Sequence, residues 1–219
     1  MKSISYTQEF YLCAINDKGE LSFFSKGTEI ECAFFASAMM ELLEHGYVKS
    51  DENEYIISIN PLDDSHSYLK PLYDFIVAQK KPMTLKDLAP EWMVSFKINK
   101  PSGELLAAIG SSLATLGYAD ELSDKGLLKS KTRFVPKPEA VKPVIEKIRA
   151  ELLEDGNITN ETICLTALLD SSRIVGNYFS KVEADDLKKR LEEIKNSEAF
   201  STVKDVLERI TATIIAAIV

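Results

Sequence analysis

The sequence predicts a mainly α protein: one globular helical domain over residues 1–219, with two or three short β-hairpins. Three observations point there. Apolar residues recur at helical spacing through most of the chain. Ser/Thr-x-x-Gln/Glu starts and glycine stops bracket the candidate helices. The β-prone runs are short and joined by polar turns. Of the 219 residues, 45% are hydrophobic and 27% charged, ordinary values for a packed globular chain.

Ser5-x-x-Gln8 opens the first helix as a capping box, and Phe10, Leu12, Cys13 and Ile15 supply its apolar face. Asn16-Asp17-Lys18-Gly19 stops it with turn chemistry. Leu21-Ser22-Phe23-Phe24 is short and β-prone. Thr28-x-x-Glu31 opens a second helix that runs to His45 and ends on Gly46. Ile30, Ala33, Phe34, Ala38, Met39, Leu42 and Leu43 cover most of its circumference, so it reads as central and buried. Tyr47-Val48-Lys49 and Tyr55 to Ile59 then form a hairpin around Ser50-Asp51-Glu52-Asn53.

Leu69, Leu72, Tyr73, Ile76 and Val77 follow helical spacing up to Pro82. Thr84-x-x-Asp87 starts the next helix, which Pro90 should interrupt before Trp92, Met93 and Phe96 resume it. Pro101-Ser102-Gly103 should break the chain again. Leu105, Ile109, Leu113 and Leu116 make a further helix that ends at Gly117. Leu43 to Val48 and Ala114 to Ala119 echo each other as helix end, glycine and tyrosine-led strand. The second copy continues into a hairpin through Ser123-Asp124-Lys125-Gly126 and on to Val135. Helix followed by hairpin is also winged-helix geometry, and the echo is equally explained by shared helix-end chemistry. Beyond Pro138 the periodicity is all helical, in blocks around Val144 and Ile148, Ile163 to Leu169, Leu187 to Ile194, and Val203 to Ile218.

Charge and cysteine usage narrow the function. Lys plus Arg is 26 against 34 Asp plus Glu, a net charge of −8. Such a chain is a poor nonspecific nucleic-acid binder, because that binding runs on phosphate neutralisation. Cys13, Cys32 and Cys164 lie far apart in apolar stretches and read as free, buried thiols in a reducing compartment. No secretory leader is evident after Met1. The longest apolar tract, Ile214 to Val219, falls short of the roughly 20 residues a span needs. The chain therefore reads as cytoplasmic, with any membrane contact peripheral. No phosphate loop, metal-spaced Cys/His pair or nucleophile motif suggests an enzyme, a cofactor or a metal site. His45 reads as a helix-end imidazole and His66 as a solvated loop residue.

One charge pattern stands out. Lys125, Lys129, Lys131, Arg133, Lys137 and Lys142 are opposed within their stretch by Glu139 alone. In a strand, Lys129, Lys131 and Arg133 share a face. This cationic stripe suits an anionic lipid surface. It equally suits an edge strand protected by lysine against aggregation. Leu127 and Leu128 beside it suggest an apolar element for self-association or insertion.

Ser5 to Ile15, Asp17 to Leu21, Ala36 to Gly46, Leu113 to Gly117, Lys131 to Phe134, Thr166 to Leu169 and Arg190 to Ile194, in that order, resemble the Golgi phosphoprotein 3 family. The resemblance implies a mainly helical fold with edge hairpins and a non-enzymatic peripheral membrane protein. Eukaryotic members look like binders of phosphatidylinositol 4-phosphate through a loop tryptophan and a few arginines, with an arginine-rich tail that bridges to a coat. Here Phe24 stands near the tryptophan, Phe35 near the arginine of the second helix, and Gly103 and Leu106 near those of a later one. None of these replacements can fork onto a phosphate as arginine does. No arginine-rich segment precedes Ser5. The hairpin from Leu122 to Arg133 matches the family's self-association element. The resemblance, through Phe24, and the cationic stripe, through Lys129, Lys131 and Arg133, together suggest lipid or phosphoinositide contact, and the hairpin's Leu127 and Leu128 suggest self-association. The alternative is a cytosolic helical module that binds protein partners and has lost headgroup binding.

Overall fold

A computed structural model of the chain describes residues 3–21, 28–98, 101–125, 130–154 and 156–196. For 95–98, 101, 124, 125, 130 and 131 the description is of the backbone alone. The architecture is mainly α with short antiparallel strands in two small sheets, as the sequence predicts.

Helix α1, Tyr6–Ala14, begins at the expected box. Ser5 Oγ accepts from Gln8 N–H, and Gln8 Oε1 accepts from Ser5 N–H at 3.0 Å. The expected single apolar face is a correction, because every residue from Tyr6 to Ala14 is buried. Its polar side chains are held by partners from elsewhere in the fold. Gln8 Nε2 donates to Ser112 Oγ at 2.9 Å, and Lys147 Nζ donates to both Glu9 oxygens at 2.6 and 2.7 Å. Burial raises the Glu9 pKa, opposed by the Lys147 charge. Helix α2, Thr28–Glu44, is buried along most of its length, as its wide apolar pattern foretells. Phe10 meets Phe34 edge to face at 4.8 Å across the α1–α2 contact.

Helix α2 ends in a Schellman motif. Gly46 has φ 71°, its N–H donates to Leu43 O, and Tyr47 N–H donates to Leu42 O. The chain then forms β1, Val48–Ser50, and β2, Tyr55–Ser58, in antiparallel register. Met83–Thr84 adds β3 on the other side of β2, a strand too short for periodicity to reveal. Between them, a 3₁₀ turn over Asp64–Leu69 leads into α3, Lys70–Val77. Val77, expected on the apolar face of α3, is 54% exposed at its end.

Pro90 does not interrupt the next helix, α4, which runs unbroken over Leu85–Ile98. Pro90 and Lys86 are both exposed, so water can take the Lys86 carbonyl that the proline leaves without a donor. On the inner side, fully buried Trp92 packs against Phe35 and Phe75. Pro101 likewise starts α5, Pro101–Thr115, rather than breaking the chain. The first turn of a helix lacks intrahelical N–H partners, so proline costs nothing there.

Helix α5 ends with the α2 motif repeated. Gly117 has φ 85°, and Tyr118 N–H donates to Leu113 O. Strands β4, Ala119–Lys125, and β5, Ser130–Pro136, follow. The echo is thus a repeated helix-to-hairpin junction. Helix α6, Pro138–Ile148, passes through a π turn, Arg149–Leu153, toward α7, Asn160–Ser171, and α8, Lys181–Lys195. The expected helix over 203–218 lies outside the described residues.

Candidate functional site

The β4–β5 hairpin has an anchored base and an exposed outer half. At the base, Tyr118, Ala119, Phe134 and Pro136 are buried. Tyr11 OH donates to Phe134 O at 3.1 Å. Gly110 of α5 lies so close that a Cβ there would be 2.6 Å from Phe134 Cβ and from Tyr11 Oη. On the other side, Gly19, at φ 69°, presses on Arg133 Cβ and Val135. Two glycines therefore set how closely the hairpin seats. Farther out, Asp120, Glu121, Leu122, Ser123 and Thr132 are exposed.

The cationic stripe is only partly described. Lys131 and Arg133 lie in β5 opposite Asp124 and Leu122, and by alternation they share a face. Arg133 Nη1 pairs with Glu20 Oε1 at 3.3 Å, so this cation is engaged within the fold. Lys137 similarly lies 3.5 Å from Asp120. Leu122 is 46% exposed directly across from Arg133. Phe24, Leu127, Leu128 and Lys129, and the side chain of Lys131, lie outside the described residues. Of the positions that the resemblance sets near headgroup arginines, Phe35 is fully buried against Trp92. Gly103 is exposed and Leu106 half-buried, both in α5. A headgroup cannot reach Phe35 without opening the core.

A second cluster was missed because its members are distant in sequence. His66 is not a solvated loop residue. Its side chain is 19% exposed, and its ring lies 4.2 Å from that of His45, centroid to centroid. His66 Nδ1 is 3.0 Å from Asp63 Oδ1, 2.8 Å from Tyr47 Oη and 2.9 Å from Ser65 Oγ. Tyr47 OH donates to Asp63 Oδ2 and Ser65 OH to Asp63 Oδ1, each at 2.6 Å. Hydrogen bonds from Ser65, Tyr47 and His66 hold the Asp63 carboxyl well below the usual carboxylate range. Burial, with the Asp63 contact added, pushes the Tyr47 hydroxyl up to about 12. The β1–β2 hairpin is what returns the chain to put Asp63 and His66 beside the α2 end. Asp-x-x-His, with a serine between, was the available local signal.

Deeper in, Glu41 is fully buried and caps α1 from α2, accepting from Thr7 N–H at 3.0 Å and from Tyr68 OH at 2.6 Å. These bonds place α1 against α2. An open groove of about 430 Å³ between the π turn and α8 is lined by Arg149, Glu183, Asp186 and Arg190, among others. Arg149 is committed there, to Glu183 at 2.9 Å, to Glu146 and to Tyr178 O. The cysteines are free and buried, as expected, and burial pushes the thiols of Cys32 and Cys164 up to about 12. Among the described residues, no group of three or more histidine, cysteine and acidic side chains is placed to hold a metal, and no helix is long and apolar enough to cross a membrane.

The model of one protein family, described as Golgi phosphoprotein 3 (GPP34), matches residues 7–212 of this sequence. No curated protein matches it.

Proposed function

The chain belongs to the Golgi phosphoprotein 3 family, and on that premise we propose that it is a non-enzymatic protein that docks peripherally on an anionic membrane from the cytoplasmic side. The family match over residues 7–212 is the observation that carries this reading. The anchored hairpin supports it. Its base is fixed by Phe134 and Gly110, and its outer half offers exposed Leu122 beside a lysine-bearing strand. Lipid contact is assigned to the hairpin segment, with Lys129 and Lys131 as cationic candidates and Leu127 and Leu128 as apolar ones, and separately to Phe24 in the stretch between α1 and α2. Arg133 takes a supporting role, since its charge is shared with Glu20.

A second reading is favoured by one observation. Phe35, which the resemblance sets near a headgroup arginine, is sealed in the core. On that reading the protein is a cytosolic module that uses the hairpin to bind itself or a protein partner and recognises no phosphoinositide.

Liposome sedimentation separates the two. Vesicles of neutral phospholipid, of neutral phospholipid with phosphatidylserine, and of neutral phospholipid with phosphatidylinositol 4-phosphate are compared. The lipid reading expects binding to both anionic vesicles. Each surface lysine near an anionic leaflet adds about 1 kcal/mol, so Lys129→Glu with Lys131→Glu should weaken binding about 30-fold or more. Arg133 is left intact to spare its pair with Glu20. Absence of binding to every vesicle, with the double variant altering only sedimentation velocity, supports the second reading and ends the first.

A further inference from the structure

We propose that His45 and His66 form a two-imidazole site for a borderline divalent cation of the zinc class, completed by water. The argument starts from hydrogens. Asp63 accepts the Tyr47 proton on Oδ2 and the Ser65 proton on Oδ1. Both hydroxyl protons are thereby used. His66 Nδ1 faces the Asp63 carboxylate at 3.0 Å, which can only accept, so its single hydrogen is placed toward Asp63 Oδ1, with the Tyr47 and Ser65 oxygens alongside. The neutral ring is fixed as the Nδ1–H tautomer, and the lone pair is on Nε2.

That is the outer-shell arrangement found behind metal-ligating histidines. A carboxylate takes the proton of one ring nitrogen, orients the ring and raises the basicity of the other. Here the carboxylate is itself fixed by two hydroxyls. Asp63 also anchors the turn by accepting from His66 N–H at 3.1 Å. The free nitrogen has no hydrogen-bond partner among the described residues, and the ring whose centroid lies 4.2 Å from that of His66 is the chain's other histidine.

His45 supplies the second ligand. It is exposed, follows the last turn of α2, and makes no side-chain hydrogen bond among the described residues. The ring planes are tilted by 41° with centroids 4.2 Å apart, and shared ligation requires His45 to turn about its side-chain torsions to bring a ring nitrogen toward His66 Nε2. Its exposure leaves that rotation open. Glu44 and Asp64, both exposed, adjoin the pair in sequence and lower the cost of bringing a cation there. Among the described residues no third side chain completes a metal-holding group, so the remaining positions are assigned to water. Two imidazoles select zinc, nickel or copper over magnesium and calcium, which prefer oxygen. The buried cysteines do not compete for the ion.

The site is independent of the membrane reading and has its own test. The full chain is titrated with Zn²⁺ at pH 7.5 and pH 5.5 by calorimetry, with the histidine ring resonances followed by NMR. Binding of one ion at pH 7.5, with both ring signals shifted, is expected. At pH 5.5 binding should fall at least 10-fold, because imidazolium has no lone pair to give. His45→Ala removes an exposed ring and should abolish binding without unfolding the chain. Asp63→Asn should weaken it about 10-fold. Mg²⁺ should leave both rings unmoved. No binding at pH 7.5, or binding that survives His45→Ala, overturns the proposal.

Discussion

Glu54 holds φ at 64°, in the left-handed region, at the end of the turn between β1 and β2. Asp51 organises that turn, its Oδ1 accepting from Asn53 N–H and Tyr55 N–H, both at 2.9 Å. The backbone conformation is therefore fixed, and the side chain at 54 bears its strain. Left-handed geometry costs an L-residue about 1–2 kcal/mol, partly offset by the extra freedom glycine loses on folding. Glu54→Gly should therefore stabilise the protein by about 0.5–1 kcal/mol, read as a melting temperature higher by about 1–4 °C. At this scale the sequence was legible wherever a residue's task is local. Gly46 and Gly117 announce their helix ends, and the buried fate of the cysteines follows from their apolar neighbours. His66 was not legible, because its environment is built from Tyr47 and His45, which only the returned hairpin brings near.

Elements were read best at their starts. Ser180-x-x-Glu183 repeats at α8 the capping box seen at Ser5. The Ser180 N–H, with Arg149 and the Ser180 hydroxyl assisting, lowers the Glu183 pKa from 4.5 to about 2. A carboxylate whose folded pKa is depressed adds stability above its unfolded pKa and loses it as pH falls toward the folded one. Glu183→Gln should accordingly be less stable than the parent in urea at pH 7. That difference should shrink between about pH 4.5 and pH 2. A gap that persists at pH 2 would assign the loss to packing. The prolines misled for the same local reason that the caps succeeded. Pro90 and Pro101 are poor helix residues by propensity, yet one faces water and the other occupies a first turn. Docking of the β4–β5 hairpin on α5 gives a further expectation. Gly110→Ala places a methyl 2.6 Å from Phe134 Cβ. Overpacking of this kind costs about 1–3 kcal/mol. The melting temperature should fall by several degrees, and amide exchange at Phe134 and Val135 should quicken before that of α1.

For the whole molecule, the net charge of −8 constrains the proposed membrane docking. An anionic leaflet repels the average surface and attracts only a local cationic feature, so binding must be oriented. The balance is screened over a Debye length of about 8–10 Å near physiological salt. Raising salt should release the protein from phosphatidylserine vesicles, and an apolar insertion through Leu127 and Leu128 would appear as a salt-resistant remainder. The overall architecture was legible because helical periodicity and short β runs are summed over many residues. The docking surface was less so. Arg133 counts toward a cationic stripe in sequence, but in space it answers Glu20. Phe35 could be a surface replacement for arginine until its full burial against Trp92 is known.

Helix α1 is enclosed by α2, α5, α6, α7 and β5. In a cell its residues leave the ribosome before any of those elements, and α7, which packs closely on it, comes last among them. Local contacts cannot shelter Phe10, Tyr11 and Leu12 while synthesis proceeds. Closure waits on pairings between distant parts of the chain, which are slow to form and leave apolar surface open meanwhile. The nascent chain therefore carries α1 incompletely covered until α7 has been made. A ribosome-bound intermediate ending before Asn160 should be a client of chaperones that hold apolar segments, whereas one ending past Ser171 should begin to release them.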